Sequence, residues 1–254
     1  MFVKICGVTT VGDALLAAGL GADAIGMIFA ASPRRVTTGD ARDIVRRLPP
    51  EVLSIGVFRN ERRERVVDVA NTIGLRAVQL HGDESPEDTR WIGERVPAVI
   101  KAFTIDDPAL GSGADYGPHR LLIDSPIPGS GQVFEWDRLD HRAAGRPYIL
   151  AGGLTPENVG LAIELLDPWG VDVATGVEAA PGHKDPAKVR RFLAAARAAV
   201  PMARPAPSGP SEPVPERGGA VGHGEHPQPA PVRVDAGSGR QDHRRPFDWE
   251  EDRS

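Results

Sequence analysis

The sequence predicts a (β/α)8 TIM barrel over residues 1–200, followed by a disordered tail over residues 201–254. Eight short apolar runs rich in Val, Ile and Leu alternate with helix patterns, which is typical of a parallel sheet. The first strand is not followed by the Gly-x-Gly-x-x-Gly turn that would favour an open doubly wound sheet. Reactive side chains gather where the predicted strands end, which is where barrel enzymes carry their active sites.

The strands are predicted in order at residues 2–6, 23–29, 52–58, 76–81, 98–103, 120–124, 148–151 and 171–174. Helices are predicted at residues 9–19, 38–48 and 61–73, from residue 85, and at residues 134–144, 155–166 and 186–200. Side-chain oxygens predict the helix starts: Thr9 for the first, Thr38 or Asp40 for the second, and Ser85 followed by Pro86 for the fourth. The segment 104–118 has Gly and Asp rather than helix formers, so no clear helix is predicted there.

Composition limits the class of protein. The 254-residue chain has a formal net charge of −5, which provides no basic footprint for nucleic acid. Its single cysteine excludes an intramolecular disulfide framework and a multi-cysteine zinc site. The chain opens with no signal peptide and contains no long apolar segment, so we expect a cytoplasmic protein that binds no membrane.

The composition changes near residue 201. Beyond that point the chain has no Leu or Ile, and Pro, Gly, Ser and charged residues dominate. Such a segment cannot bury enough apolar surface to offset the entropy lost on ordering, so we predict that it is disordered. The expected domains are therefore a catalytic barrel over residues 1–200 and a tail over residues 201–254.

Two reactive side chains end the first and sixth predicted strands. Cys6 is the only cysteine, and a free cysteine is most often a small buried apolar residue. In a barrel this position points into the mouth where substrates bind, so a nucleophile or base is the alternative interpretation. Asp124 follows three apolar residues, and burial there would favour its neutral, proton-donating form. The alternative for Asp124 is an ion pair with a neighbouring lysine or arginine.

Two further side chains lie beside strand ends. Arg34 follows Ser32 and Pro33 in a loop and is either a surface charge or a clamp for a substrate carboxylate, which its planar fork suits. His81 shares a strand face with Gln79 and is either a packing or hydrogen-bonding group or a catalyst.

Glycine-containing loops follow the last two predicted strands. Gly152 and Gly153 follow the seventh strand, and Thr175 and Gly176 follow the eighth. In many barrels these two loops bind phosphate through backbone N–H groups, and glycine has no Cβ to block the approach of the anion. The alternative is that these glycines only make tight turns, but their presence on both loops favours a phosphate site.

Motifs along residues 1–200 resemble those of the phosphoribosylanthranilate isomerase family. They are KICG at 4–7, GADAIG at 21–26, QLHG at 79–82, LID at 122–124, GSG at 129–131, AGGL at 151–154, GVE at 176–178 and PGHKD at 181–185. The resemblance implies a (β/α)8 barrel without a cofactor that performs an Amadori rearrangement in tryptophan biosynthesis. It implies that Cys6 is the general base, that Asp124 is the general acid and that Arg34 lies near the anthranilate carboxylate.

The sequence departs from the family pattern in two places. The family commonly has Ser-Ser before Gly176, where this chain has Ala174 and Thr175, and Thr175 keeps a hydroxyl for the phosphate. The tail has no counterpart in the family. The implied partner is a small phosphorylated substrate, which we expect His81 and the two glycine-containing loops to contact. The oligomeric state is left open between a monomer and a homodimer.

The implied chemistry needs a proton for the sugar-ring oxygen, which Asp124 would supply, and a thiolate at Cys6. We therefore expect an electropositive or helix-terminal setting that lowers the pKa of the Cys6 thiol. One alternative is a phosphate-binding barrel without catalysis. Another is a different phosphosugar enzyme such as indole glycerol phosphate synthase, which would need lysine and glutamate at several strand ends, where only Lys101 is obvious.

Overall fold

A computed structural model describes residues 1–124 and 147–199 of the chain. Its strands are β1 (Phe2–Ile5), β2 (Ala24–Ile28), β3 (Leu53–Phe58), β4 (Ala77–Leu80), β5 (Val99–Thr104), β6 (Arg120–Asp124), β7 (Tyr148–Leu150) and β8 (Gly170–Val173). They form a closed barrel in sequence order, in which every neighbouring pair is parallel and β8 pairs with β1. The predicted fold class is confirmed.

The α-helices that cover the barrel are α1 (Val11–Gly19), α2 (Thr38–Val45), α3 (Arg63–Ile73), α4 (Pro86–Gly93), α5 (Val159–Leu166) and α6 (Pro186–Ala198). A 3-10 helix, Pro108–Tyr116, occupies the segment that lacked helix formers. A short antiparallel hairpin of β9 (Glu178–Ala180) and β10 (His183–Lys184), which the sequence analysis missed, precedes α6. The predicted helix 134–144 and the tail 201–254 lie outside the described residues. In the described part of the chain, no helix is long and apolar enough to span a membrane.

The start of α1 lies one residue later than predicted. Thr10, not Thr9, is the N-cap, and its Oγ1 accepts a hydrogen bond from the Asp13 amide at 3.1 Å. The Thr9 hydroxyl instead donates to the Gly182 carbonyl oxygen at 2.7 Å. Either threonine can cap a helix. Because the Thr9 hydroxyl is used in the contact with Gly182, Thr10 is the residue that caps α1.

The other two predicted helix starts gave one correction and one confirmation. Thr37, rather than Thr38 or Asp40, caps α2, and Asp40 completes a capping box with it. Ser85 caps α4 with Pro86 in the first turn, as predicted.

Strand residues alternate between two apolar layers. The layer inside the barrel consists of Phe2, Ala24, Leu53, Ile55, Ala77, Ala98, Ile100, Ala102, Leu122, Ile149 and Ala151. The larger layer between strands and helices includes Val3, Ile5 and Phe192. Because side chains alternate along a strand, β1 directs Phe2 and Lys4 into the barrel, and Cys6 follows on the same face.

Candidate active site

A cavity of about 290 Å³ opens at the carboxyl ends of the strands. This volume is close to the lower end of the range for small-molecule sites, roughly 300–1,000 Å³. The cavity is lined by all but one of the residues that the sequence pointed to, namely Cys6, His81, Asp124, Gly152, Gly153, Thr175 and Gly176. The exception is Arg34, whose Nη2 lies 3.5 Å from the hydroxyl of Thr175. The fold therefore gathers residues from both halves of the sequence at one site.

Cys6 is held on the inner face of the barrel directly after β1. Its amide donates to the carbonyl oxygen of Val173 at 2.8 Å, which extends the pairing of β1 with β8 by one residue. On the other side, β2 leaves space for the thiol with Gly26, because a methyl group added there would lie 2.8 Å from Cys6 Sγ. Only 6% of Cys6 is exposed, so the thiol is almost fully desolvated.

The electrostatic setting of Cys6 differs from the expectation. Burial raises the pKa of the Cys6 thiol, and the negative charge of Asp172 adds to this rise. The positive charges of Lys4 and Lys184 oppose it without reversing it. The expected lowering of the pKa was therefore wrong, because the cost of desolvating a thiolate outweighs the attraction of nearby lysines. Burial in the substrate-free protein therefore favours the thiol over the thiolate.

Behind Cys6 lies a buried ion pair that the sequence analysis missed. Lys4 is fully buried, and its Nζ donates to Asp172 Oδ2 at 2.9 Å. The two residues are paired in register on the neighbouring strands β1 and β8. Asp172 also lines the cavity. The sequence did contain a sign of this pair, because Lys4 and Asp172 each interrupt an apolar strand. A lysine or an aspartate in such a place is rarely buried without a charged partner.

Asp124 ends β6 and faces two polar residues of the β4 segment. Asp124 Oδ2 lies 3.3 Å from His81 Nε2, and His81 Nδ1 lies 2.7 Å from Gln79 Nε2. As the amide is placed, Gln79 donates to Nδ1, which leaves the ring proton on Nε2, the nitrogen that faces Asp124. Asp124 Oδ1 is buried and has no hydrogen-bond partner within residues 1–124 and 147–199. One carboxylate oxygen thus lies beside His81, while the other has no partner among these residues and is available to a ligand.

Arg34 is fixed by a carboxylate that the sequence analysis did not identify. Its Nε and Nη2 donate to the two oxygens of Glu178 at 2.8 and 2.7 Å. Lys184 Nζ lies 3.1 Å from the same carboxylate. Burial disfavours the charged form of Glu178, but hydrogen bonds from Arg34 and Lys184 keep its pKa below the usual value. Arg34 is therefore a charge-paired, oriented guanidinium beside the Thr175 loop.

The two glycine-containing loops need glycine for reasons of backbone geometry. Gly152 and Gly153 have φ angles of +88° and +65°, which favour glycine. Neither of their amides donates a hydrogen bond to any described residue. At Gly176 a Cβ would lie 1.9 Å from the Leu154 carbonyl oxygen, so glycine lets the two loops pack together. Positive φ angles thus account for Gly152 and Gly153 and close packing accounts for Gly176, while the amides of Gly152 and Gly153 have no acceptor among the described residues.

Comparison with known proteins identifies the family. The sequence model described as N-(5′-phosphoribosyl)anthranilate (PRA) isomerase matches residues 3–195. The N-(5′-phosphoribosyl)anthranilate isomerase of Desulforudis audaxviator is 47% identical over 205 residues, which cover 78% of this chain and 98% of that protein. The chain belongs to the N-(5′-phosphoribosyl)anthranilate isomerase family.

Solved structures of this isomerase family agree with the fold described above. Phosphoribosyl anthranilate isomerase from Thermotoga maritima superposes with a TM-score of 0.73 at 43% identity, covering 78% of this chain and 98% of that chain. A further isomerase structure contains reduced 1-(o-carboxyphenylamino)-1-deoxyribulose 5-phosphate, and it superposes with a TM-score of 0.70 at 42% identity and the same coverage.

Membership of the isomerase family confirms the resemblance and the predicted activity, which is the isomerisation of a phosphorylated aldosylamine to its ketose in tryptophan biosynthesis. It also decides against the two alternatives, a barrel without catalysis and indole glycerol phosphate synthase. Lys101, the lysine considered for the synthase, is buried with its Nζ 3.0 Å from Glu84 Oε2. Lys101 is not among the described residues that line the cavity, so we assign it to the interior of the barrel and not to the site.

Proposed function

We propose that, in this isomerisation, Cys6 acts as the general base and Asp124 as the general acid. The observation that carries the proposal is that both side chains line one cavity from opposite parts of the barrel wall. Between their strands, β1 and β6, lie β7 and β8 on the shorter way around the barrel. A substrate held between the two side chains can exchange a proton with each of them at a different atom.

The reaction then proceeds in two proton transfers. Asp124 gives a proton to the sugar-ring oxygen, the bond from that oxygen to the anomeric carbon breaks, and the nitrogen lone pair forms an iminium. The iminium acidifies the neighbouring carbon. The Cys6 thiolate takes the proton from that carbon and leaves an enolamine, which tautomerises to the ketone. No electrons leave the substrate, because the oxidation of one carbon balances the reduction of its neighbour.

The close approach of His81 orients Asp124 in this scheme. His81 Nε2 lies 3.3 Å from one carboxylate oxygen, so the other oxygen is the one that meets the ligand. His81 is partly exposed at the cavity and can exchange protons with water. We therefore propose that His81 positions Asp124 and restores its proton after each turnover, while also bordering the bound substrate.

We further propose that the substrate phosphate binds between the Gly152–Gly153 loop and the Thr175–Gly176 loop. The amides of Gly152 and Gly153, which have no acceptor among residues 1–124 and 147–199, and the hydroxyl of Thr175 support this placement.

Inorganic phosphate is accordingly expected to inhibit turnover in competition with substrate. Thr175→Val should weaken this inhibition and raise KM roughly tenfold or more, since it removes one hydrogen bond to a charged group. Thr72→Val, on the exposed surface of α3, is the matched control and should leave both values unchanged. An unchanged phosphate inhibition constant in Thr175→Val would place the anion elsewhere.

Arg34 is proposed to bind the anthranilate carboxylate, with Glu178 fixing its orientation. Arg34→Ala should raise KM roughly tenfold or more, because a charge-assisted hydrogen bond is lost. Arg34→Lys should recover little of this loss, since an ammonium cannot reproduce the planar fork. Steady-state kinetics measure both effects, and Arg35→Ala is the control, since the adjacent Arg35 is exposed. If Arg34→Ala kept both KM and kcat, Arg34 would have no place in the site.

The barrel over residues 1–200 is proposed to be the complete catalytic unit. The family match ends at residue 195 and α6 ends at Ala198, which supports this boundary. A chain truncated after Val200 is expected to keep its turnover and its thermal midpoint. Activity assays and calorimetry on both chains provide the comparison. A midpoint lower by several degrees, or lost turnover, would show that the tail contributes to the barrel.

A further inference from the structure

The Lys4–Asp172 ion pair lies beside the reacting thiol and has no role in the mechanism described so far. Lys4 is fully buried in the barrel, where a lysine is almost never found unless it is paired. A pair of apolar residues could fill the same space without the cost of desolvating two charges. We therefore ask what the charges of this pair do for the neighbouring thiol of Cys6.

The geometry brings the lysine side chain and the thiol to the same place. Lys4 and Cys6 are two residues apart on one face of the β1 segment. Both contact Gly26 of β2, since a methyl group added at Gly26 would lie 2.8 Å from Cys6 Sγ and 3.1 Å from Lys4 Cε. Asp172 then holds the ammonium from the other side, at 2.9 Å.

We propose that Lys4, held by Asp172, is a positioning residue that stabilises the thiolate of Cys6 and so sets the fraction of enzyme whose base is ready to react. This inference rests on the proposed function, in which Cys6 is the base. Lys4 does not touch the substrate in this account and acts only through the thiol.

The other positively charged side chains near Cys6 share a different carboxylate, that of Glu178. Lys184 and Arg34 both bind the carboxylate of Glu178, at 3.1 and 2.7 Å. Of the groups that oppose the effect of burial on the pKa of Cys6, the charge of Lys4 contributes most and that of Lys184 less. On the opposite wall, His81 and Asp124 lie 3.3 Å apart and also face the cavity.

The two members of the pair act on the thiol with opposite signs. The ammonium of Lys4 favours the thiolate, whereas the carboxylate of Asp172 disfavours it. Removing Lys4 should therefore raise the pKa of Cys6, and removing the charge of Asp172 should lower it. If the pair only filled and cross-linked the interior, breaking it from either side would act on the thiol in the same direction.

The test is a titration of the thiol by ultraviolet absorbance in the full-length enzyme, from about pH 7 to about pH 11, because burial raises the pKa of Cys6 above its usual value. Tyrosinate absorbs in the same region, so the thiolate signal of Cys6, the only cysteine, is taken as the difference from the same chain carrying Cys6→Ser, which keeps both tyrosines. The variants are Lys4→Met, Asp172→Asn and the double variant with both changes. Lys4→Met leaves a buried unpaired carboxylate and can fail to fold, so the double variant, which has neither charge, supplies the comparison in that case.

We expect the pKa of Cys6 to be lowest in Asp172→Asn, higher in the wild type, higher again in the double variant and highest in Lys4→Met. The double variant should have a pKa about one unit above the wild type, which is a tenfold smaller thiolate fraction at a given pH below both values. A pKa in the folded double variant within about 0.3 units of the wild type would overturn the proposal. A raised pKa in Asp172→Asn would overturn it as well. The titration needs no turnover, so its outcome is independent of whether Cys6 is the base.

Discussion

Cys6→Ser is expected to lose most of its kcat, on the order of a hundredfold or more, which is the contribution of one general base. Serine keeps the shape of cysteine and is slightly smaller, so it fits beside Gly26 without a clash, and the backbone hydrogen bond to Val173 is unaffected. Its hydroxyl has a much higher pKa than a thiol, and the burial that already raises the pKa of Cys6 would act on it too. The variant should therefore bind the substrate but abstract the proton very slowly.

The control for Cys6→Ser is its fold. Its thermal midpoint should stay within a few degrees of the wild type, and its affinity for a reduced product analogue should be unchanged, because the fold and the remaining binding groups are intact. Steady-state kinetics of the folded variant then report on chemistry alone. Near wild-type turnover would return Cys6 to the role of a small buried apolar residue.

Asp124→Asn is expected to lower kcat by a similar factor, on the order of a hundredfold or more, with a small change in KM. Asparagine keeps the shape and the contact with His81, but it has no acidic proton for the ring oxygen. Asp68→Asn, on the exposed face of α3, is the matched control and should leave the kinetics unchanged. A kcat for Asp124→Asn within about twofold of the wild type would require another acid.

The spacing of apolar residues along the chain was enough to predict the barrel and to assign the candidate site residues to one of its faces. Alternating strands and helices define a parallel barrel, and the ends of its strands meet at one face. Cys6, His81 and Asp124 could therefore be assigned to one cavity although they lie far apart in the sequence. Local capping preferences were less decisive, since adjacent threonines at 9 and 10 compete for the same cap.

The electrostatics of the site could not be predicted in the same way. The partner of Lys4 is 168 residues away on β8, and only closure of the barrel brings Asp172 into register with it. The partner of Arg34 is 144 residues away, at Glu178. The direction of the pKa shift of Cys6 depends on the balance between its burial and charges that such long-range contacts bring together. Residue types and spacing carry no measure of that balance.

The central claim is that Cys6 removes the proton from the carbon beside the imine, and a deuterium isotope effect on that carbon tests it most directly. Single-turnover rates would be measured with substrate carrying hydrogen or deuterium there, in the wild type, Cys6→Ser and Asp124→Asn. We expect Cys6→Ser to be slow with a full primary isotope effect, because proton abstraction limits its rate. Asp124→Asn should be slow with almost no isotope effect, because ring opening limits it instead. A Cys6→Ser variant that turns over at nearly the wild-type rate, or that loses the isotope effect while Asp124→Asn keeps it, would contradict the assignment of base and acid.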